Sequence, residues 1–475
     1  MRPVAWLSLV LAVTLAVAAC GKVEEAPVDA GDQPDDAQVD SPDGMVITTC
    51  TPNQFVDCDG GNARICNASG DGATIQSCGA PGCNPGAMRC NACVPSSSTC
   101  DGAVVESCGA DGLALPDETC QLSCTATPSA HCAYISPRYL PNVCDGVAAM
   151  PGLTITTSGT IDTALDASCT GGVVTQVGGP PICVMRYGVI TVQTGRTLTL
   201  IGGRAAALVA DGDVTITGTI DGSATGLVHG PGGGTLTSGG LSTEFTGGGG
   251  AGHATAGAAG GSTTATGGAA NGGATSDPLA GAVLVGGVRA ARPSIGIGVS
   301  GGGGGGAVML VSCRGTVAVT GTLDVGGGGG NGGRNLNAPP AAVIFRGGGG
   351  GGTGGYAVLQ GLDVRVTGEV YANGGGGGGG GSATVIGGVG GDGTRSSTVA
   401  AAGGQPPGGS GSGVGGAGGR LGASPGGGGA SGNSQGGGGG STGAFQSYTP
   451  TGVTPTLTPS SSSPGFQTNM TITTR

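Results

Sequence analysis

The chain has little of what proteins use to hold charged or aromatic partners. Charged residues make up 9% of it and aromatic residues 3%, and Lys22 is its only lysine. The formal charge of −11 divides into +1 from Arg2, −7 from residues 21–44 and −5 from everything beyond. A folded part so weakly acidic, with no lysine, has no basic stripe to neutralise phosphates, so nucleic acid is excluded as a partner. Long apolar runs are also missing. The one candidate, Val4 to Val17, spans fourteen residues, too few to cross a bilayer comfortably.

That run reads as an export leader. Arg2 supplies the charged end, and small residues precede Cys20 in Val17-Ala18-Ala19-Cys20. A cysteine where the apolar run ends is the pattern of a lipoprotein signal. The expectation is therefore a signal peptide over 1–19 and acyl chains on Cys20, palmitate among them, that anchor the chain to a membrane. The competing reading is an ordinary export signal with an incidental cysteine. Gly21, where inner-membrane retention usually has Asp, points to the outer membrane or cell surface. Residues 20–48 follow as a tether. Glu24, Glu25, Asp29, Asp32, Asp35, Asp36, Asp40 and Asp43 repel one another there with almost nothing to bury, so disorder is expected. Coil statistics give it a reach on the order of 30 Å.

Setting Cys20 aside leaves sixteen of the 17 cysteines, an even number in an exported chain, which points to disulfides. Twelve form a repeat over 49–134. Cys58, Cys66, Cys78 and Cys90 recur 42 residues later as Cys100, Cys108, Cys120 and Cys132, while Cys83 maps to Cys124 and Cys50 to Cys93 within one residue. Two six-cysteine modules, 50–90 and 93–132, are therefore predicted, each stapled in place of a hydrophobic core. Connectivity stays open, since six cysteines allow fifteen pairings. The CxxC at Cys90-Asn91-Ala92-Cys93 lacks the second pair or histidines a zinc site needs, and it straddles the seam between modules. Of the remaining four cysteines, Cys169 and Cys183 flank a Gly-Pro turn and are expected to pair. Cys144 and Cys313 are left as a long-range clamp or unpaired.

From Asp145 onward 100 of the 113 glycines are concentrated, beside only eight aromatic residues, which argues for a repetitive architecture over 135–475. One strand motif recurs as 214–221, 317–324 and 364–371, with a weaker copy at 155–162. At a period of two, Val214, Ile216 and Ile220 share one face and Thr215, Thr217 and Thr219 the other, the pattern of half-buried strands. Gly218, Gly321 and Gly368 fall on the inward face, where glycine marks a bend or a close backbone approach. Further strands are expected at 189–193, 197–201 and 205–210. Short strands without helical periodicity predict an all-β fold, first a glycine-rich parallel β-helix or solenoid and second a β-sandwich with long Gly-rich loops. The glycine runs at 247–250, 301–306, 326–330, 347–352, 374–381, 426–429 and 436–440 bury no side chains in return for their ordering cost. They read as mobile loops, with extended polyglycine strands bonded to one another as the alternative.

With its leader, acidic tether, cysteine ladder, Gly-Thr-Ile-Asp strands and blocks such as Tyr371-Ala372-Asn373 before eight glycines, the chain resembles uncharacterised surface lipoproteins of myxobacteria and their relatives. The resemblance covers most of the chain, and it implies a location without implying an activity.

Candidate chemistry is sparse. Two GxSxG strings place Ser300 and Ser441 between glycines, but a hydrolase elbow needs a helix after it and a histidine downstream, and His131, His229 and His253 all come earlier. Gly387 to Asp392 resembles a single calcium nonapeptide, a motif that works in tandem. Asp162, Asp221 and Asp324 occupy one register after three of the four strand copies, and Tyr371 takes the fourth. Stacked, those carboxylates would form a ladder able to hold a cation or a glycan; the plain reading is that Asp ends a strand and opens a turn. No arginine keeps a fixed place beside them. The expectation is a lipid-anchored surface protein without catalysis, cofactor or resident metal, whose partners are the membrane and extracellular polysaccharide or other surface proteins. A polysaccharide-binding or lyase-like β-helix protein is the alternative, and the enzyme requires the three aspartates in one groove.

Overall fold

The computed structural model describes residues 49–146, 151–239, 246–262, 272–273, 283–290, 301–333, 347–382, 384–430 and 434–475. The leader, Cys20 and the tether lie outside the described residues. Within them the fold is all-β: apart from one 3₁₀ turn at Asp166–Ser168, every regular element is a strand.

The chain divides into two compact units, Met1–Ser77 and Cys78–Arg475, and the first six-cysteine module is shared between them. In the first unit Phe55–Asp59, Asn62–Cys66 and Ala73–Gln76 make a three-stranded antiparallel sheet, closed by the Cys50–Cys66 disulfide. The second module repeats this plan with Ser98–Asp101, Val104–Ser107 and Glu118–Thr119. Its disulfides are Cys93–Cys108, Cys100–Cys124 and Cys120–Cys132. The 42-residue repeat thus fixes connectivity as well as spacing: Cys93–Cys108 answers Cys50–Cys66, and Cys120–Cys132 answers Cys78–Cys90. Cys58 and Cys83 are disulfide-bonded too. The two cysteines of the CxxC face different partners, Cys78 and Cys108, as a seam between modules requires.

The long remainder of the second unit is built on three sheets of six, six and seven strands, parallel throughout except that Val173–Val174 runs antiparallel to Ile182–Tyr187 at one edge of the third. Successive triplets give one strand to each. Ala205–Ala210, Val214–Ile216 and Thr219–Asp221 are followed by Ala307–Ser312, Thr316–Val319 and Thr322–Asp324, and then by Tyr356–Gln360, Asp363–Val366 and Glu369–Tyr371. Each strand pairs with its counterpart in the next triplet without slip, so that Val214 lies beside Val317 and Val317 beside Val364. The period-two alternation is what makes this possible. Val214, Ile216 and Ile220 are fully buried with Val317, Val319, Leu323, Val364, Val366 and Val370 in one aliphatic core, and the threonines between them stay partly exposed. Strands at 197–201 and 205–210 fall where expected, and the 189–193 strand is Ile190–Val192.

Gly218, Gly321 and Gly368 turn the chain between two of the sheets. A Cβ on Gly321 would strike the carbonyl oxygen of Gly218, and one on Gly368 that of Gly321, so the corner stacks only if each level carries glycine.

The sheet that begins each triplet is buried on both faces. Its inner side faces the core just described, and its outer side carries Ile182, Val184, Ala207, Val209, Met309, Val311 and Val358 beneath Ile135, Leu140 and Cys144. The segment that covers it is fastened by the Cys144–Cys313 disulfide, so the clamp exists. Cys169 and Cys183 pair as expected.

The glycine runs are not loops. Segments 301–306, 347–352, 374–381 and 436–440 are buried, and their backbones bond to one another at every third residue. Gly374, Gly377 and Gly380 donate to the carbonyls of Gly419, Gly416 and Gly413; Gly348, Gly351 and Gly354 donate to Gln435, Gly438 and Ser441. A period of three is that of the extended polyproline II helix, whose amides point outward in three directions and find no partner within their own segment. Here neighbouring segments supply the partners. Segment 348–354 is ringed by 248–251, 288, 302–305, 328–331, 375–378 and 435–441, each bonded to it. Glycine is needed because the neighbours come so near: a Cβ on Gly348, Gly351 or Gly378 would sit closer than 3.0 Å to a carbonyl of the next segment. The mobile-loop expectation fails because it counted side-chain burial alone. Each backbone hydrogen bond contributes about 0.5–1.5 kcal/mol net, so bonding this dense offsets the roughly 0.5–1 kcal/mol of extra glycine entropy.

Candidate functional site

The strands Thr219–Asp221 and Thr322–Asp324 are direct neighbours, and their register sets Asp221 beside Asp324. Asp162 does not join them. It pairs with Ile201, whereas Asp221 pairs with Thr199, so it stands two residues further along and a full strand away. At ordinary sheet spacings that separation is about 12 Å. The structure therefore brings two of the three aspartates together, with Tyr371 at the next level.

Arg395 completes the site. It leaves the glycine-rich array and lays its guanidinium across both carboxylates, with Nε 2.7 Å from Asp324 Oδ2 and one terminal nitrogen 2.8 Å from Asp221 Oδ2. The other oxygens are also occupied. Asp324 Oδ1 accepts the Gly326 amide at 2.9 Å, and Asp221 Oδ1 accepts both the amide and the hydroxyl of Ser223. Asp162 Oδ1 accepts from the Ala164 amide. Burial pushes the Asp324 carboxyl up to about 6, and its hydrogen bond to Arg395 opposes that rise without cancelling it.

Sequence reasoning missed Arg395, which lies 71 residues beyond Asp324 with the glycine runs in between. Its only signal was its proximity to Asp392. That aspartate does not sit among calcium-type oxygen ligands here: its Oδ1 accepts the amides of Gly226 and Gly329, tying two glycine segments together. Among the described residues no three His, Cys, Asp or Glu side chains converge as a metal ion requires.

The remaining candidates are structural. Ser441 is buried, donates to the Thr442 carbonyl and accepts the His253 amide. His253 bonds through Nδ1 to the Gly354 carbonyl, and Nδ1 of His229 accepts the Gly304 amide. Burial holds the His229 imidazole below its usual range, with Arg289 adding to the effect, so it stays neutral as that bond demands. Ser300 and Cys20 lie outside the described residues. No helix among those residues is long and apolar enough to cross a membrane.

The class these features define is an all-β protein with disulfide-stapled modules and a backbone-bonded glycine array. No family model, curated protein or solved structure matches the chain.

Proposed function

We propose that the chain is a lipid-anchored protein of the outer membrane or cell surface with a structural, adhesive or matrix-binding role and no catalysis. Its core is a single-stranded parallel β-helix, in which each strand triplet is one coil. The unslipped register between successive triplets, each giving a strand to all three sheets, supports that architecture. The resemblance to myxobacterial surface lipoproteins fits the same location.

One observation carries the non-catalytic reading. The acidic pair, the best candidate for chemistry, is spent on Arg395 and on backbone amides, and thereby joins the coil to the glycine array. The lyase-like alternative needed three aspartates in one groove, and Asp162 stands apart from the other two, which counts against it. The test uses cells grown with labelled palmitate. Label on the wild-type chain, its loss in Cys20→Ser, and protease accessibility on intact cells are expected. Unlabelled wild type overturns the anchor. Release of unsaturated product from polygalacturonate or alginate, abolished in Arg395→Ala, overturns the non-catalytic role.

A further inference from the structure

The covering segment between the second cysteine module and the coil is held far more firmly than a linker needs. The buried side-chain amide of Gln360 clasps the Arg138 backbone, accepting its N–H at 2.8 Å and donating to its carbonyl at 3.3 Å. Six residues on, Cys144 is locked to Cys313. Between these fixed points Tyr139 adopts a left-handed backbone, φ 71°, a conformation that costs a bulky residue about 1–3 kcal/mol and persists only where its surroundings enforce it. Its hydroxyl lies 3.4 Å from that of Tyr356, and the Arg138 guanidinium stands 5.6 Å over its ring.

The ring so held lines a cavity of about 280 Å³. Leu140, Pro141, Asn142 and Val143 complete one wall, and Gly171, Val174 and Val184 form the other. No lining residue is charged. Asn142 is exposed, and its side-chain amide, two donors and an acceptor, bonds to nothing among the described residues.

We infer that this cavity binds one neutral pyranose unit of an extended polysaccharide. An aromatic ring beside an aliphatic floor suits the C–H faces of a sugar, and the free amide suits its hydroxyls. No lining residue is charged and the adjacent Arg138 guanidinium is engaged over the Tyr139 ring, which disfavours uronic acids, whose carboxylate would lack a partner in the cavity wall. The volume lies just below the roughly 300–1,000 Å³ of drug-sized sites, which fits a single ring with the polymer leaving through the open side. The segment is fixed before the ligand arrives, so little ordering cost remains to be met on binding.

The inference rests on the surface role only for the source of its ligand. The full chain, purified in detergent, is titrated calorimetrically with cellohexaose, mannohexaose and xylohexaose, and with polygalacturonate and N-acetylleucine amide as charged and protein-like controls. At least one neutral hexaose is expected to bind, at least tenfold more weakly in Tyr139→Ala and at least threefold more weakly in Asn142→Ala. The Asn142 side chain bonds to nothing among the described residues, so that variant decides the question if Tyr139→Ala does not fold. No binding by any neutral probe, binding untouched by Asn142→Ala, or preference for either control overturns the site. Palmitate labelling is read separately, so this site can fail while the surface role stands.

Discussion

Replacing Gly378 by alanine tests the glycine array directly. Gly378 lies in one of its central segments, where its amide donates to Gly349 and its carbonyl accepts from Gly437. A Cβ there would meet the carbonyl oxygen and carbon of Asn331 and the amide of Gly332, all backbone atoms that cannot rotate away. Relief requires the segment to shift, at an overpacking cost of about 1–3 kcal/mol. The two hydrogen bonds it strains guard buried groups that cost about 1–3 kcal/mol each when unmet. A loss of roughly 3–5 kcal/mol follows, with allowance for partial relaxation. Gly203→Ala is the control. That glycine is exposed, nothing lies within 4 Å of its Cβ position and its backbone is not left-handed, so the change is expected to be neutral or to stabilise by about 0.4–1 kcal/mol through the unfolded chain. Guanidinium denaturation gives the two differences, and hydrogen exchange at Gly378 and Gly437 reports whether the loss is local. If the two variants agree within about 1 kcal/mol, the close-packed array is refuted.

The acidic pair yields two further predictions. The Asp324 carboxyl titrates near 6 when folded and near 3.8 when free, so between those values the folded chain keeps a proton the unfolded chain has lost. The stability from this group is therefore complete below pH 3.8 and falls as pH rises through about 6; Asp324→Asn should flatten that part of the denaturation-versus-pH curve, and an unchanged slope would refute it. Arg395→Ala leaves two neighbouring carboxylates without their cation and should cost about 1–3 kcal/mol, discounted for the exposure of the guanidinium, with a larger loss at pH 8 than at pH 5. Replacing both Cys144 and Cys313 by serine opens a 169-residue loop and should cost about 2–5 kcal/mol, while denatured but unreduced wild type shows no reactive thiol between Cys50 and Cys313.

What could be read from the chain follows from which forces leave a trace in residue type. Val214, Ile216 and Ile220 announce a strand because burial sorts apolar from polar side chains at a period of two. The cysteine ladder announces its modules because a cross-link demands a particular residue at a particular spacing. Glycine carries no such mark: Gly348 in the array and Gly408 with nothing near it are the same letter, and only the approach of another backbone separates them. The acidic site was half legible for a related reason. Asp221 and Asp324 share a register visible in the motif, whereas Asp162 belongs to a weaker copy that sits two residues out of step. Arg395 reaches the pair along a path set by glycine segments, which no local pattern encodes.

One signal for the array was present, in the residues that are not glycine. Along its outer segments the side chains recur at every third position: Ile386 and Val389, then Val399, Ala402 and Gln405, all exposed. At these positions the Cβ is left in the open, as one third of an extended threefold helix allows, whereas the buried Ala401 shows that inward positions take nothing larger than a methyl here. The same side chains also end the array. A further polyglycine segment adds only by bringing its carbonyls as close as those of Asn331 lie to Gly378, and a Val or Ile at the contact forbids that approach. Exposed apolar residues, ordinarily an invitation to associate, are here expected to stop further segments from adding, much as charges and bulges blunt the free edge of a sheet. It follows that Val389→Gly and Ile386→Gly together, which remove apolar surface, should raise self-association of the chain by sedimentation. A variant that self-associates no more than wild type would show that the outward side chains do not bound the array.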